Sequence, residues 1–99
     1  MLIKLKNKNT LIIDDFKLKC CIGIKGINNN KKEGDLSSPK GKFKLGNLYY
    51  RSDRVKKPKT KLNCIKIHKN MGWCNDSKSK KYNNRININC NFTHEKLFR

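Results

Sequence analysis

The segment Lys32-Glu33-Gly34-Asp35-Leu36-Ser37-Ser38-Pro39-Lys40-Gly41-Lys42-Phe43-Lys44-Leu45-Gly46 decides how this chain is read. An acidic glycine turn comes first, then a Ser-Ser-Pro step, then a Gly-x-Phe-x-Leu-Gly run. Gly34 permits positive φ. Asp35 is placed to hydrogen-bond the backbone beyond it, and Pro39 sets a turn. Phe43 and Leu45 alternate with lysines, the period of a strand. The segment is therefore architectural: it orients the strand expected to carry Phe43 and Leu45.

Alternation continues on both sides of it. Residues 2–5 and 10–13 read as a hairpin around Asn7-Lys8-Asn9. Residues 16–24 form the longest strand candidate, with Phe16, Leu18, Cys20, Ile22 and Ile24 on one face, the expected core face. A polar loop follows over 26–35. Residues 48–50 and 62–68 read as strands, separated by a basic loop that contains Pro58. Residues 70–84 read as a long loop carrying Trp73 and Tyr82, and Ile86 and Ile88 suggest a short extended piece. Residues 93–99 read as a helix start with Thr93 as N-cap. The expected class is mainly β, a sandwich or barrel portion with that short helix start.

Ninety-nine residues bound the chain to one small domain, expected here as a single partial one over 1–99. The 25 Lys and Arg against 7 Asp and Glu give a net charge of +18. Such charge suits nucleic acid, an anionic membrane surface or an acidic polymer. However, Lys, Asn and Ile share AT-rich codons and the lysines are dispersed. Genome composition and a solvated surface thus rank ahead of a dedicated nucleic-acid site. No apolar run approaches the ~20 residues of a membrane span, and the first residues lack the apolar core and small-residue cleavage site of a signal peptide. The five cysteines, Cys20, Cys21, Cys64, Cys74 and Cys90, include no C-x-x-C pair. Their spacing does not suit structural zinc, and they read as reduced, mostly buried thiols. No metal or cofactor is implied.

Six pieces in order carry a family resemblance: Lys31-Lys32-Glu33-Gly34-Asp35, residues 38–46, Tyr49-Tyr50-Arg51-Ser52-Asp53-Arg54, Gly72-Trp73-Cys74-Asn75-Asp76, Tyr82-Asn83, and His94-Glu95-Lys96-Leu97-Phe98-Arg99. In this order they resemble the L,D-transpeptidase catalytic-domain family of the YkuD or ErfK/YbiS type. Ser38 stands where that pattern has Thr, Asn75 where it has Asp, and Phe98 where it has Trp. The family's catalytic His and its Ser/Thr-x-Gly-Cys segment have no counterpart in these residues. Cys74 belongs to the Gly-Trp-Cys piece and His94 to the His-Glu piece. The resemblance thus implies the N-terminal portion of such a domain, with no catalytic residue among these 99.

For the complete domain the resemblance implies cysteine-dependent acyl transfer on peptidoglycan stem peptides, a cell-envelope or periplasmic setting, and wall cross-linking. Such chemistry needs a thiolate, a neighbouring imidazole and oriented N–H donors for the oxyanion. On the substrate side, Tyr50, Arg51 and Arg54 are candidates for stem-peptide carboxylates, since guanidinium forks suit them. Trp73, Asp76 and Tyr82 are candidates for a cleft wall. Each has a plainer role open to it: Tyr50 packing on a sheet, Arg51 and Arg54 pairing with Asp53 or Asp35, Trp73 anchoring core or loop. Cys64 and His68, four apart on a predicted strand, would sit ~13 Å apart and form no dyad. The rival reading is a small basic module that binds nucleic acid or an anionic wall polymer.

Overall fold

The computed structural model describes all 99 residues, Met1 to Arg99. It contains ten strands: β1 Ile3–Asn7, β2 Thr10–Ile13, β3 Phe16–Lys19, β4 Ile27–Asn28, β5 Ser38–Pro39, β6 Leu48–Tyr50, β7 Cys64–Lys66, β8 Met71–Cys74, β9 Arg85–Asn87 and β10 His94–Lys96. The mainly-β class expected from the alternation is what forms. No helix is long and apolar enough to cross a membrane. The chain divides into two compact units, Met1–Phe43 and Lys44–Arg99.

In the first unit, β1, β2 and β3 form an antiparallel meander, with Ile13 opposite both Ile3 and Phe16. The expected hairpin is present, with a bulge between Leu5 and Asn7. Asp14 turns the chain at φ 49°, a conformation its short polar side chain tolerates. The strand expected over 16–24 is shorter. The strand ends at Lys19, with a last bond from Cys20 N–H to the Asn9 carbonyl at 3.0 Å, and Gly26 N–H donates back to the Gly23 carbonyl at 2.8 Å, which closes a turn. Its expected core face is only partly covered: Phe16 is 71% exposed and Ile24 91%, whereas Cys20 and Ile22 are half-buried. The reason is that the meander is one layer thick and no residue in its three strands is buried.

The acidic glycine turn is held by one carboxylate. Asp35 accepts from Lys32 N–H at 2.8 Å, from Ser37 N–H at 3.0 Å, from the Ser37 hydroxyl at 2.8 Å and from Lys31 Nζ at 2.7 Å. Gly34 takes φ 78° there. The turn delivers Ser38-Pro39 as β5, parallel to β4. Lys25 N–H donates to the Leu36 carbonyl at 3.0 Å, and Gly23 N–H donates to Ser38 Oγ at 2.9 Å. Here the architectural reading of residues 32–39 holds, but its second half does not. Phe43 and Leu45 lie outside any strand and are 68% and 54% exposed. No neighbouring strand offers them a ladder, and alternation alone does not make one.

In the second unit, β6 and β7 run parallel, with Leu48 opposite Cys64 and Tyr50 opposite Lys66. β8 is the centre of a three-stranded antiparallel sheet, between β9 and β10. Two expectations are corrected here. Residues 71–74, expected within a loop, form that central strand. Gly72 is buried, and a side chain there would press on Ile88, His94 and the Glu95 carbonyl. The absent Cβ is what lets β10 and the segment after β9 close over β8. The helix start expected over 93–99 is instead strand β10, with His94 opposite Cys74 and Lys96 opposite Gly72. A local cap signal is worth little beside a full row of cross-strand hydrogen bonds. Tyr50 at 7% and Cys74 at 0% exposure are the buried apolar side chains, so the core is thin.

Candidate functional site

Alternation along β8 sorts the motif residues. Gly72 and Cys74 face inward and are buried, whereas Met71 and Trp73 point the other way and are half-buried. Trp73 is opposite Arg85 on β9 and Glu95 on β10, so the three share one face. Its indole Nε1 donates to Asn83 Oδ1 at 2.9 Å. Its ring meets Tyr49 edge to face, with centroids 6.0 Å apart and planes at 79°. These two rings, with Gly46, Asn47, Asn84 and Arg85, line an open groove of about 590 Å³.

The groove's polar groups are partly committed. Asn47 Oδ1 accepts from Asn63 Nδ2 at 3.2 Å, which leaves the Asn47 amide nitrogen to donate elsewhere. Asn84 Nδ2 donates to the Tyr82 carbonyl at 2.9 Å, which leaves its Oδ1 to accept. Arg85 is exposed, and the ion pairs of the chain involve other residues, Lys31–Asp35 and Arg51–Asp53. The groove therefore offers an aromatic wall, a donor, an acceptor and an unpaired guanidinium.

Arg51 and Arg54 are engaged by groups of the chain itself. Arg51 makes a two-pronged contact with Asp53, Nε to Oδ1 at 2.8 Å and Nη2 to Oδ2 at 2.6 Å. Its guanidinium lies 3.5 Å from the centre of the Phe98 ring. Arg51 and Arg54 both donate to the main-chain carbonyl of Arg99, at 2.5 and 2.9 Å. The Asp53 hydrogen bond holds Arg51 above, and Asp53 below, their ordinary ionisation ranges. The pairing with Asp53 is the plainer of the two roles expected for Arg51. Asp35 pairs with Lys31 and not with either arginine.

The remaining candidates also have structural partners. Tyr50 is buried beneath the sheet surface. Asp76 accepts from Lys78 N–H through Oδ1 at 3.0 Å, and its carbonyl accepts from Ser79 N–H at 3.0 Å, which shapes the turn after β8. Tyr82 is half-buried in that same turn, and its N–H donates to the Ser79 carbonyl. Of the six expected substrate-side residues, Trp73 alone lines the groove. Sequence reading misses Asn47, Tyr49, Asn84 and Arg85. One signal exists for Arg85, since a strand over 85–88 paired with the Trp piece puts it beside Trp73.

The three cysteines of the second unit each have structural surroundings. Cys74 is fully buried, and the Cys64 thiol faces the Leu62 carbonyl at 3.6 Å and the Pro58 carbonyl at 4.0 Å. Cys90 Sγ lies 3.6 Å from His94 Nδ1, a pairing that sequence reading does not anticipate. That nitrogen is also 2.9 Å from the Phe92 carbonyl, which can only accept, so a hydrogen bond there needs the proton on Nδ1 and leaves no lone pair on it for the thiol. Asn75, where the resembled pattern has Asp, buries its Oδ1 without a partner. A carboxylate there would be costlier still to bury.

Comparison with known proteins finds no match for this chain among family models, curated proteins or solved structures.

Proposed function

We propose that this chain is the scaffold and substrate-side portion of an L,D-transpeptidase-like, wall-acting domain. One observation carries the reading: sequence pieces that make up the resemblance meet in space within the second unit. Arg51 and Arg54 of the Tyr-Tyr-Arg piece clasp Phe98 and Arg99 of the His-Glu piece. Tyr49 packs on Trp73 of the Gly-Trp-Cys piece, and Trp73 bonds Asn83 of the Tyr-Asn piece. Pieces up to 48 residues apart are thus brought into contact in two groups, which share the Tyr49–Arg54 piece. A chance run of similar words would not require their side chains to be mutual partners.

In the reaction of such a domain, a cysteine thiolate attacks the acyl carbon of a meso-diamino acid in a donor stem peptide. The next residue leaves as a free amine. A second amine then attacks the thioester, forms the new amide and releases the thiol. None of these steps is assigned to a residue of this chain. Its own contribution is binding: the Tyr49–Trp73 wall covers methyl and methylene groups of the peptide, Arg85 meets a carboxylate, and Asn47 and Asn84 meet backbone amides.

The test is binding to purified cell-wall sacculi before and after amidase removal of stem peptides. The expected result is retention that depends on the stem peptides and falls in Arg85→Gln. Retention that is indifferent to stem peptides but collapses as salt rises would sink this reading and favour the basic module. Transfer itself is expected to be absent. A stoichiometric carbapenem-type adduct on Cys64 or Cys74 would overturn the assignment of no catalytic residue.

A further inference from the structure

The β1–β3 meander has one apolar face and one basic face. Register places Ile3, Ile13 and Phe16 in one cross-strand row, and Leu5, Leu11 and Leu18 in another two residues along. Side chains alternate along a strand, so both rows stand on the same face. The other face carries Lys4, Ile12 and Lys17, with Thr10 and Lys19 beyond them. Phe16 is 71% exposed, Leu18 46%, and Ile3 and Leu5 39% each. A sheet face this apolar gains stability when something covers it, and a patch of a few hundred Å² on a small chain is often functional.

Two occupants can be weighed by area and charge. A second copy would bury roughly 400 Å² from each six-residue face, about 800 Å² in total, against the ~1,200 Å² of a stable interface. It would also bring +18 against +18. An anionic bilayer reverses the sign of that second term. The meander is a single layer, so the lysines behind it stay within about a Debye length, ~8–10 Å, of the headgroups. An apolar face with cations at its back is the arrangement that seats a peripheral segment in the headgroup–acyl boundary.

We propose that the face of Ile3, Leu5, Leu11, Ile13, Phe16 and Leu18 docks on an anionic lipid bilayer, with Lys4, Lys17 and Lys19 supplying the charge attraction. This is independent of the wall-acting reading, since vesicles contain no peptidoglycan. The test is co-sedimentation of the full chain with phosphatidylglycerol/phosphatidylcholine vesicles and with pure phosphatidylcholine vesicles. Partition into the anionic vesicles is expected, with little into the neutral ones. Phe16→Ser with Leu18→Ser lowers it about tenfold or more at unchanged charge, and Lys4→Gln with Lys17→Gln lowers it about tenfold on anionic vesicles only. In a Trp73→Phe background, the Phe16→Trp variant should show blue-shifted emission on anionic vesicles and be quenched by acyl-brominated lipid. Binding that ignores the Phe16/Leu18 change, emission from the Phe16→Trp variant left unquenched, or a stable dimer that buries this face in solution would each overturn the proposal.

Discussion

Gly23→Ala is the sharpest perturbation the first unit offers. An added Cβ would lie 2.4 Å from the Leu36 carbonyl oxygen and 2.6 Å from two backbone atoms of Ser37. The oxygen contact is roughly 1 Å inside van der Waals separation. All three obstacles are backbone, so no side chain can swing aside. Relief requires the Asp35–Ser38 turn to back away from Gly23, which is overpacking with a cost of about 1–3 kcal/mol. The same movement loosens Lys25 N–H to Leu36 O at 3.0 Å and Gly23 N–H to Ser38 Oγ at 2.9 Å. Those two bonds contribute about 1 kcal/mol each. The sum is about 3–5 kcal/mol, against about 5–15 kcal/mol for a whole chain of this length. Amide exchange is the right assay, because the only tryptophan, Trp73, reports on the second unit. Protection at Lys25 and at residue 23 should fall by about two to four orders of magnitude, at ~1.4 kcal/mol per tenfold. Gly46→Ala is the control: nothing lies within 4 Å of a Cβ there, and it should change stability by no more than about 0.5 kcal/mol. Equal behaviour of the two variants would refute the close-approach argument.

Three further outcomes are expected. Asp35 is held well below the usual carboxylate range by Lys31, the Lys32 N–H and Ser37, so its contribution is complete above the unfolded carboxylate pKa and is lost as pH falls through the depressed folded value. Protection of the Ser37 amide should decline progressively as pH falls below the unfolded carboxylate pKa, whereas Asp35→Asn should remove that dependence. Arg51→Lys keeps the charge but loses the fork to Asp53 and the planar stack on Phe98. The urea midpoint should fall, and an unchanged midpoint would mean the clasp is only a surface pairing. In thiol labelling of the native chain, Cys21 should react first, and Cys74 only as fast as the second unit opens. Rapid native labelling of Cys74 would contradict its burial.

How much is readable in the chain differs between the units. The β1–β2 hairpin is plain because its alternation and its Asn-Lys-Asn turn are local. So is the Asp35 turn, whose partners lie within four residues of it. The centre of the second sheet is not. Gly72-Trp73-Cys74 lacks alternating apolar character, and its strand state comes from β9 and β10 closing on either side. His94-Glu95-Lys96 resembles a capped helix only while β8 is out of view. The groove likewise depends on cross-strand register, which puts Arg85 beside Trp73 twelve residues away.

Sequence alone settled the mainly-β class, the turn built on Gly34 and Asp35, and the large positive charge. Each rests on local chemistry or on simple composition. Tertiary structure alone decided that Arg51 and Arg54 clasp the Phe98–Arg99 segment, that Tyr50 is buried, and that the Phe16 face stays open. Those outcomes turn on which partners long-range pairing brings within reach. A side chain's type limits what it can bond, but only the closed backbone determines what is there to be bonded.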